Sequence, residues 1–390
     1  VDRKKQIQVL FLPRWYPHRD DPQLGVFIRK QAEAIAPHCE VAVIYPQASS
    51  SVNKAFEDDF FERQGVQTFL VYYAHRTGGI LAHTGNAFRY MRAFFRAWKQ
   101  YRRSLPFPDL IHVHVLLRPL LMAYFLRLFK KTPIVLSEHW TGYVFGFFAQ
   151  KSLLTRWLSR RLLASVSTLT VVSPALEKAM KASGLSHPDC RIVPNVVEVG
   201  DGMNEKKEHD DTRILTVADL VERNKNVAGV IKAVEQIARD RQDFRYDIIG
   251  GGEDETLLKS LAKHTGLLGD RIHFLGRLDN EEVIRHIRQC DFLVVNSNVE
   301  TFSVITAESL ACGKPVIATR SGGPEFFMTE ECGILIPPGD QDALKSAICD
   351  MLDHHHEYDP AAMRAVVEKQ FSAEAVGRQL LSLYQEKLSE

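Results

Sequence analysis

Residues 296–325 read NSNVETFSVITAESLACGKPVIATRSGGPE, and this stretch decides the fold. It leaves an apolar run predicted as a strand over Phe292–Asn296, crosses a short polar loop and enters a helical pattern, Ser303–Ala311, that Gly313 ends. A second apolar run, Pro315–Ala318, follows at once. Strand, loop, helix and strand in that order form the unit of a parallel sheet wrapped by helices. Of the three carboxylates in the stretch, Glu300 lies in the loop and Glu308 inside the helix. A loop-to-helix turn points free N–H groups and the positive end of the helix dipole outward, so the backbone of Thr301, Phe302 and Ser303 suits a phosphate. Two turns further on, Glu308 is spaced to reach ribose hydroxyls, and Glu300 the group beyond the phosphates. Taken alone, a pair of acids at this spacing would be solvated helix-end charges; the strand and helix around them argue for a site.

The same alternation runs outward in both directions. In the first half, strands are expected at Ile7–Leu12, Glu40–Tyr45, Gln67–Tyr72, Leu110–Val115, Ile134–Ser137 and Thr168–Ser173, with helices near 25–36, 84–103, 118–129, 152–165 and 174–182. In the second half, strands are expected at Arg213–Val217, Phe244–Ile249, Ile272–Leu275, Phe292–Asn296, Pro315–Ala318 and Ile334–Ile336. A polar, acidic stretch at 199–211 separates the two series and reads as a linker. The expectation is two doubly wound α/β domains, 1–198 and 212–370, facing across a cleft, with a last helix at 371–390 crossing back to the first. In such sheets ligands lie off the carboxyl ends of the strands, where strand order reverses.

Composition narrows the class. With 390 residues, 45% of them apolar and 25% charged, the chain is neither fibrous nor disordered. The formal charge of +1 conceals an asymmetry, because residues 1–200 hold 27 Lys and Arg against 14 Asp and Glu. A basic half suits anionic partners. The six cysteines are scattered without a C-x-x-C pair, and the apolar run ended by Pro13 is too brief for a secretory signal, so a cytoplasmic protein is expected, acting at the inner face of the membrane. No apolar run reaches the length that spans a bilayer.

Several segments in order, ETFSVITAES, ACGKPVIAT, GGPE, IVPNVVE (192–198), ILTVADLVERNKN (214–226), IIGGG (248–252), HFLGR (273–277) and GILIPPGD (333–340), resemble the family 4 glycosyltransferases, retaining enzymes of the two-Rossmann GT-B fold. The resemblance implies an NDP-sugar donor held mainly by the second domain. Glu308 would then bind the ribose diol, Glu300 the transferred sugar, and the backbone of Phe302 and Ser303 the diphosphate. Lys225 matches the lysine that neutralises the diphosphate; the Gly276–Arg277 backbone lies where the family receives the base, and Gly250 and Gly252 form a tight strand-to-helix turn near it. Where the family usually keeps an arginine, this chain has Asp219; either Arg223 takes that arginine's part or Asp219 faces elsewhere. Gly25 matches the glycine loop of the first domain. His139 and Trp140, directly after a strand, match the acceptor side, and His112 and His114 share one face of a strand as supporting residues.

From this likeness the expected activity is retaining transfer of a sugar to a hydroxyl of a glycan or glycolipid, in cell-envelope polysaccharide or glycolipid synthesis. No metal is expected, since no D-x-D run is present and His354, His355 and His356 are consecutive. A nucleotide-sugar epimerase on the same scaffold and a non-catalytic nucleotide-sugar-binding module are the rival readings. A helix over 85–103 carries Arg89, Arg92, Arg96, Lys99 and Arg103 as a stripe, with Phe88, Met91, Phe94, Phe95 and Trp98 on its other faces. That pattern, with the aromatic and basic segment 140–161, implies a lipid-linked acceptor and peripheral contact with an anionic membrane. Nucleic acid is not implied, because no recognised binding motif accompanies the charge.

Overall fold

The computed structural model describes residues 6–198 and 211–390, so the expected linker falls, but for Asp211, outside the described residues. The chain divides into two units: one comprises 1–172, 176–196 and 373–390, the other 173–175 and 197–372.

The first unit holds one eight-stranded sheet. Its strands are β1 (Ile7–Pro13), β2 (Cys39–Ser49), β3 (Phe56–Arg63), β4 (Val66–Ala74), β5 (Leu110–His114), β6 (Ile134–Glu138), β7 (Thr168–Val171) and β8 (Cys190–Ile192). They lie in the order β3-β4-β2-β1-β5-β6-β7-β8. All neighbours are parallel except β3, which runs antiparallel to β4. Central strands such as β1 (IQVLFLP) are buried on both faces, which explains their unbroken aliphatic runs. The strand order reverses between β1 and β5, so the loops after these two strands open at the switch point. Helices α1 (Val26–Ile35), α2 (Ile80–Ser104), α3 (Arg118–Arg127), α4 (Leu153–Leu163) and α5 (Pro174–Ala182) follow the strands in turn.

Strand β3 was not legible as a strand because FEDDFFER carries four acids, which suits an exposed sheet edge rather than a buried strand. It also corrects the reading of α2. Asp58 on β3 takes the Arg96 guanidinium at 2.5 Å and 2.8 Å, and Arg92 lies over the Phe56 ring at 5.3 Å. Ala93, Phe94, Ala97 and Tyr101 form the buried face of α2, so Phe94 belongs to the core, while Phe88, Met91 and Phe95 remain exposed.

The second unit begins with β9 (Thr212–Val217), α6 (Glu222–Lys225) and α7 (Val227–Ile237), then β10 (Phe244–Ile249), α8 (Glu255–His264), β11 (Ile272–Gly276) and α9 (Asn280–Gln289). It continues through β12 (Phe292–Val295), α10 (Val304–Ala311), β13 (Val316–Thr319), β14 (Gly333–Ile336), α11 (Gln341–His354) and α12 (Pro360–Phe371). Six parallel strands take the order β11-β10-β9-β12-β13-β14, with the reversal between β9 and β12. Val227, Val230, Ile231 and Val234 line the inner stripe of α7 at helical spacing. Helix α12 is not among the helices expected from the sequence, although Asp359, whose carboxylate accepts from Ala361 N, and Pro360 form a readable helix start. The last helix, α13 (Ala373–Ser389), belongs to the first unit, where it packs on α1 and places Tyr384 against His112.

Candidate functional site

In the second unit the reversal of strand order sets two loops side by side, 218–225 after β9 and 296–303 after β12. Asn298 ties them, donating its backbone N–H to Asn224 O at 2.7 Å and its side-chain amide to Arg223 O at 3.1 Å. Asn296 adds a bond from its side-chain amide to Asn226 O at 3.0 Å. Glu222 accepts from the backbone of Val227 at 2.8 Å and Ala228 at 3.1 Å, capping α7 from a distance. Burial pushes the pKa of Glu222 up, while these two amides oppose the shift. The sequence reading named none of Asn224, Asn298 and Glu222, though asparagine and acid clusters at strand ends are the signal that marks such ties.

This scaffold brings Lys225 onto Glu300. The ammonium lies 2.5 Å from Glu300 Oε1, which Ser297 Oγ also meets at 2.8 Å. Both bonds use one carboxylate oxygen, so Oε2 has no protein partner among the described residues. Thr301 and Phe302 lead into α10, and Ser303 precedes its first residue in a left-handed conformation, φ 68°. The Ser303 hydroxyl turns to Thr306 Oγ1 at 2.8 Å and does not cap the helix, and no acid stands in the first turn. The Phe302 ring is buried against Phe327 and Phe371, which anchors the backbone carrying these amides. Glu308 is buried in the second turn of α10.

The glycine loop after β10 lies beside the β9 loop. Gly250 has φ 141°, and a Cβ there would sit 1.8 Å from Ala218 O, so only glycine fits. Gly252 approaches the Leu220 carbonyl, and Gly250 donates its N–H to Gly276 O at 2.8 Å. Arg277 Nη2 lies 3.5 Å from Asp219 Oδ1 and donates to Gly251 O at 3.3 Å. Asp219 therefore faces Arg277, and both side chains are exposed. Arg223 is exposed, with its Nε 3.5 Å from Asn224 Oδ1.

In the first unit, Gly25 precedes α1 with φ 69°, packed against the Trp15 carbonyl. His139 follows β6 and is buried. Its Nε2 lies 3.3 Å from His114 Nδ1, its ring stacks on His114 at 5.6 Å, and Phe27 covers its other side at 4.7 Å. His112 completes the ladder, with Nδ1 2.6 Å from the Tyr384 hydroxyl and Nε2 2.7 Å from Ser137 Oγ. Burial lowers the pKa of His112 and His139 to about 3, and that of His114 well below its ordinary value, so all three rings are neutral. His139 Nδ1 is buried without a hydrogen-bond partner among the described residues.

Glu138, which sequence reading missed, organises this end of the sheet. Its Oε1 accepts from Leu116 N at 2.7 Å and the Tyr143 hydroxyl at 3.0 Å, and its Oε2 from His139 N at 3.2 Å. Burial raises its pKa, and these donors pull the other way. Trp140 meets Tyr143 edge to face at 5.0 Å.

Residues 203–365 match the family model of glycosyl transferases group 1, and residues 24–196 that of the glycosyl transferase 4-like domain. The chain is 28% identical over 251 residues to a GDP-mannose-dependent monoacylated alpha-(1-6)-phosphatidylinositol monomannoside mannosyltransferase of Corynebacterium glutamicum. That alignment covers 58% of this chain and 64% of the relative, so the chain spans less than two thirds of the relative's length. To the N-acetyl-alpha-D-glucosaminyl L-malate synthase of Bacillus anthracis it is 26% identical over 295 residues, 72% of this chain and 75% of that one. Among solved structures, sucrose-phosphate synthase from Thermosynechococcus elongatus shares the fold with a TM-score of 0.75 at 22% identity, over 98% of this chain and 99% of that one.

Proposed function

Because the chain belongs to the group 1 glycosyl transferases and has their GT-B fold, we propose that it moves a sugar from an NDP-sugar to a hydroxyl of a glycan or glycolipid, with retention of anomeric configuration. The observation that carries this reading is the Lys225–Glu300 contact beside the uncapped start of α10, with Glu308 in the second turn of the same helix. Cation and amides are arranged for a diphosphate, and the two carboxylates for the hydroxyls on either side of it.

In the proposed reaction the second unit holds the donor. Glu300 orients the sugar through Oε2, Glu308 holds the ribose diol, and Lys225 with the amides of Thr301, Phe302 and Ser303 stabilises the departing diphosphate. The bond from the anomeric carbon to the phosphate oxygen breaks while the acceptor oxygen bonds to the same face of that carbon. The acceptor proton passes to the leaving phosphate, and the products are the glycoside and NDP. Fixed positive charge on the protein supplies the neutralisation, so turnover is expected to persist in chelator. His139 and Trp140 serve the acceptor from the first unit.

Contact with an anionic membrane is part of the same proposal. It is supported by exposed apolar residues on and just after helices of the first unit, among them Leu128 (70% exposed) and Phe129 (69%) past the end of α3 and Leu153 (80%) and Leu154 (71%) at the start of α4, interspersed with Lys and Arg. Among the described residues no helix is long and apolar enough to cross a membrane.

The test is release of NDP from a panel of UDP- and GDP-sugars, with and without lipid and glycan acceptors, and NMR of the product anomer. Acceptor-dependent NDP release with a retained anomer is expected. Conversion of the donor without any acceptor would favour the epimerase, and binding without turnover the non-catalytic module.

A further inference from the structure

We propose that the acceptor carries an anionic group, a phosphate or a carboxylate, and that Arg14, Arg118 and Lys151 hold it in a hollow beside Trp140. The inference rests on the reading of the first unit as the acceptor-binding one, and it specifies the chemistry of that acceptor.

The hollow, about 320 Å³, opens at the carboxyl ends of β1, β5 and β6. Arg14 follows β1, Arg118 is the first residue of α3, Trp140 and Tyr143 follow β6, and Lys151 and Thr155 come from the entry to α4. Its size lies in the range of small-ligand sites, and its place is the switch point of the sheet.

The hollow gathers three cations at one place. Several other cations of the unit rest on acids, as Arg19 does on Glu57, Arg96 on Asp58, Lys181 on Glu177 and Arg191 on Glu386. Arg14, Arg118 and Lys151 are exposed, and among the described residues none makes an ion pair. Glu138, the acid behind the wall, has both oxygens taken by Leu116, Tyr143 and His139. Three cations gathered without a counterion repel one another, and an anion placed among them relieves that repulsion. The first turn of α3 carries no acid and no side-chain cap, so its dipole adds to the positive potential.

The lining also argues against a neutral polyol. Among the described residues no carboxylate or carboxamide side chain lines the hollow, and Tyr143 and Thr155 supply its hydroxyls. Side chains that accept hydrogen bonds from sugar hydroxyls are therefore scarce, whereas charged donors are concentrated. The Trp140 ring offers a flat face for a ring next to the charge, and Lys151 Nζ stands 5.8 Å from its centre.

The test is titration calorimetry of the full chain with sn-glycerol 3-phosphate and L-malate as soluble probes and glycerol as the neutral control. A parallel arm measures co-sedimentation with vesicles of phosphatidylinositol in phosphatidylcholine against phosphatidylcholine alone. At least one soluble anion or the phosphatidylinositol vesicles should bind and glycerol should not. Arg14→Gln and Arg118→Gln should each weaken that binding about tenfold, as for loss of a charge-assisted bond. Lys263→Gln, an equal change of charge in the second unit, should leave it unchanged. Binding of soluble probes identifies a small free acceptor, and binding of the vesicles alone a phosphorylated headgroup; each supports the site. Should Arg118→Gln lose its near-ultraviolet circular dichroism, Arg118→Lys and Lys151→Gln decide in its place. Anion binding that ignores all of these substitutions, or an absence of anion binding to the wild type in both arms, overturns the proposal. Titration with UDP and GDP runs alongside, so that loss of the anion site with nucleotide binding intact is separated from failure of the glycosyltransferase reading itself.

Discussion

Replacing Lys225 by Met and Glu300 by Gln, singly and together, measures the contact on which the proposed donor site is built. The ammonium lies 2.5 Å from the carboxylate, with the two side chains 23% and 11% exposed. Unit charges about 4 Å apart at an effective dielectric constant near 20 attract by about 4 kcal/mol. Water reaching the ammonium and the cost of fixing a long side chain lower this, and a hydrogen bond to a charged group nets about 1.5–3 kcal/mol. A coupling energy of about 2 kcal/mol is therefore expected from the cycle. The single substitutions should differ. Lys225→Met strands a mostly buried carboxylate with only Ser297 Oγ still donating, at 2.8 Å, and should cost about 3 kcal/mol. Glu300→Gln leaves the better-solvated partner and a carboxamide oxygen to receive it, and should cost about 1 kcal/mol. All four tryptophans, Trp15, Trp98, Trp140 and Trp157, lie in the first unit, so urea unfolding of the second must be followed by far-ultraviolet circular dichroism. Coupling below about 0.5 kcal/mol, within the scatter of independent sites, would show that the ammonium does not rest on Glu300, and the neutralising role given to Lys225 would fall with it.

Glu308→Ala should weaken UDP or GDP binding about 10- to 100-fold by calorimetry, as for loss of hydrogen bonds to a charged group; unchanged affinity would remove the ribose assignment. Stability of the first unit should fall as pH drops from about 6.5 towards 3. Burial withholds protons from His112, His114 and His139, whereas the unfolded chain binds them near the ordinary histidine value, so acid favours unfolding. Urea midpoints read by tryptophan fluorescence test this, and a profile that His139→Asn does not flatten would contradict it. Sedimentation with anionic vesicles should decline as salt rises from about 0.05 to 0.5 M, and Leu128→Ser with Phe129→Ser should reduce it further; indifference to both would return these helices to the role of sheet cover.

Elements whose own composition carries their period were legible in the sequence. The apolar runs of β1, β5, β10 and β12 are buried on both faces, as suits central strands of a parallel sheet. Strand β3 was not legible because its pairing partner β4, and the Arg96 that neutralises Asp58, determine it rather than its own residues. The burial of Phe94 apart from Phe88, Met91 and Phe95 was not legible, because the sheet face that covers it is remote in sequence. In the site, Glu300, Glu308 and Lys225 were found by motif; the asparagines that lock the two loops, and Glu138 behind the histidines, were not.

Taken alone, the sequence determined two parallel-sheet units, their strand-to-helix turns and the residue types at those turns, because hydrophobic period and turn chemistry are local properties. Which side chains meet was decided only by tertiary structure. Lys225 and Glu300 are 75 residues apart, His112 and Tyr384 272 apart, and the order reversals at β1/β5 and β9/β12 bring the loops together. Such meetings depend on strand order, which is a property of the whole sheet and is written in no single segment.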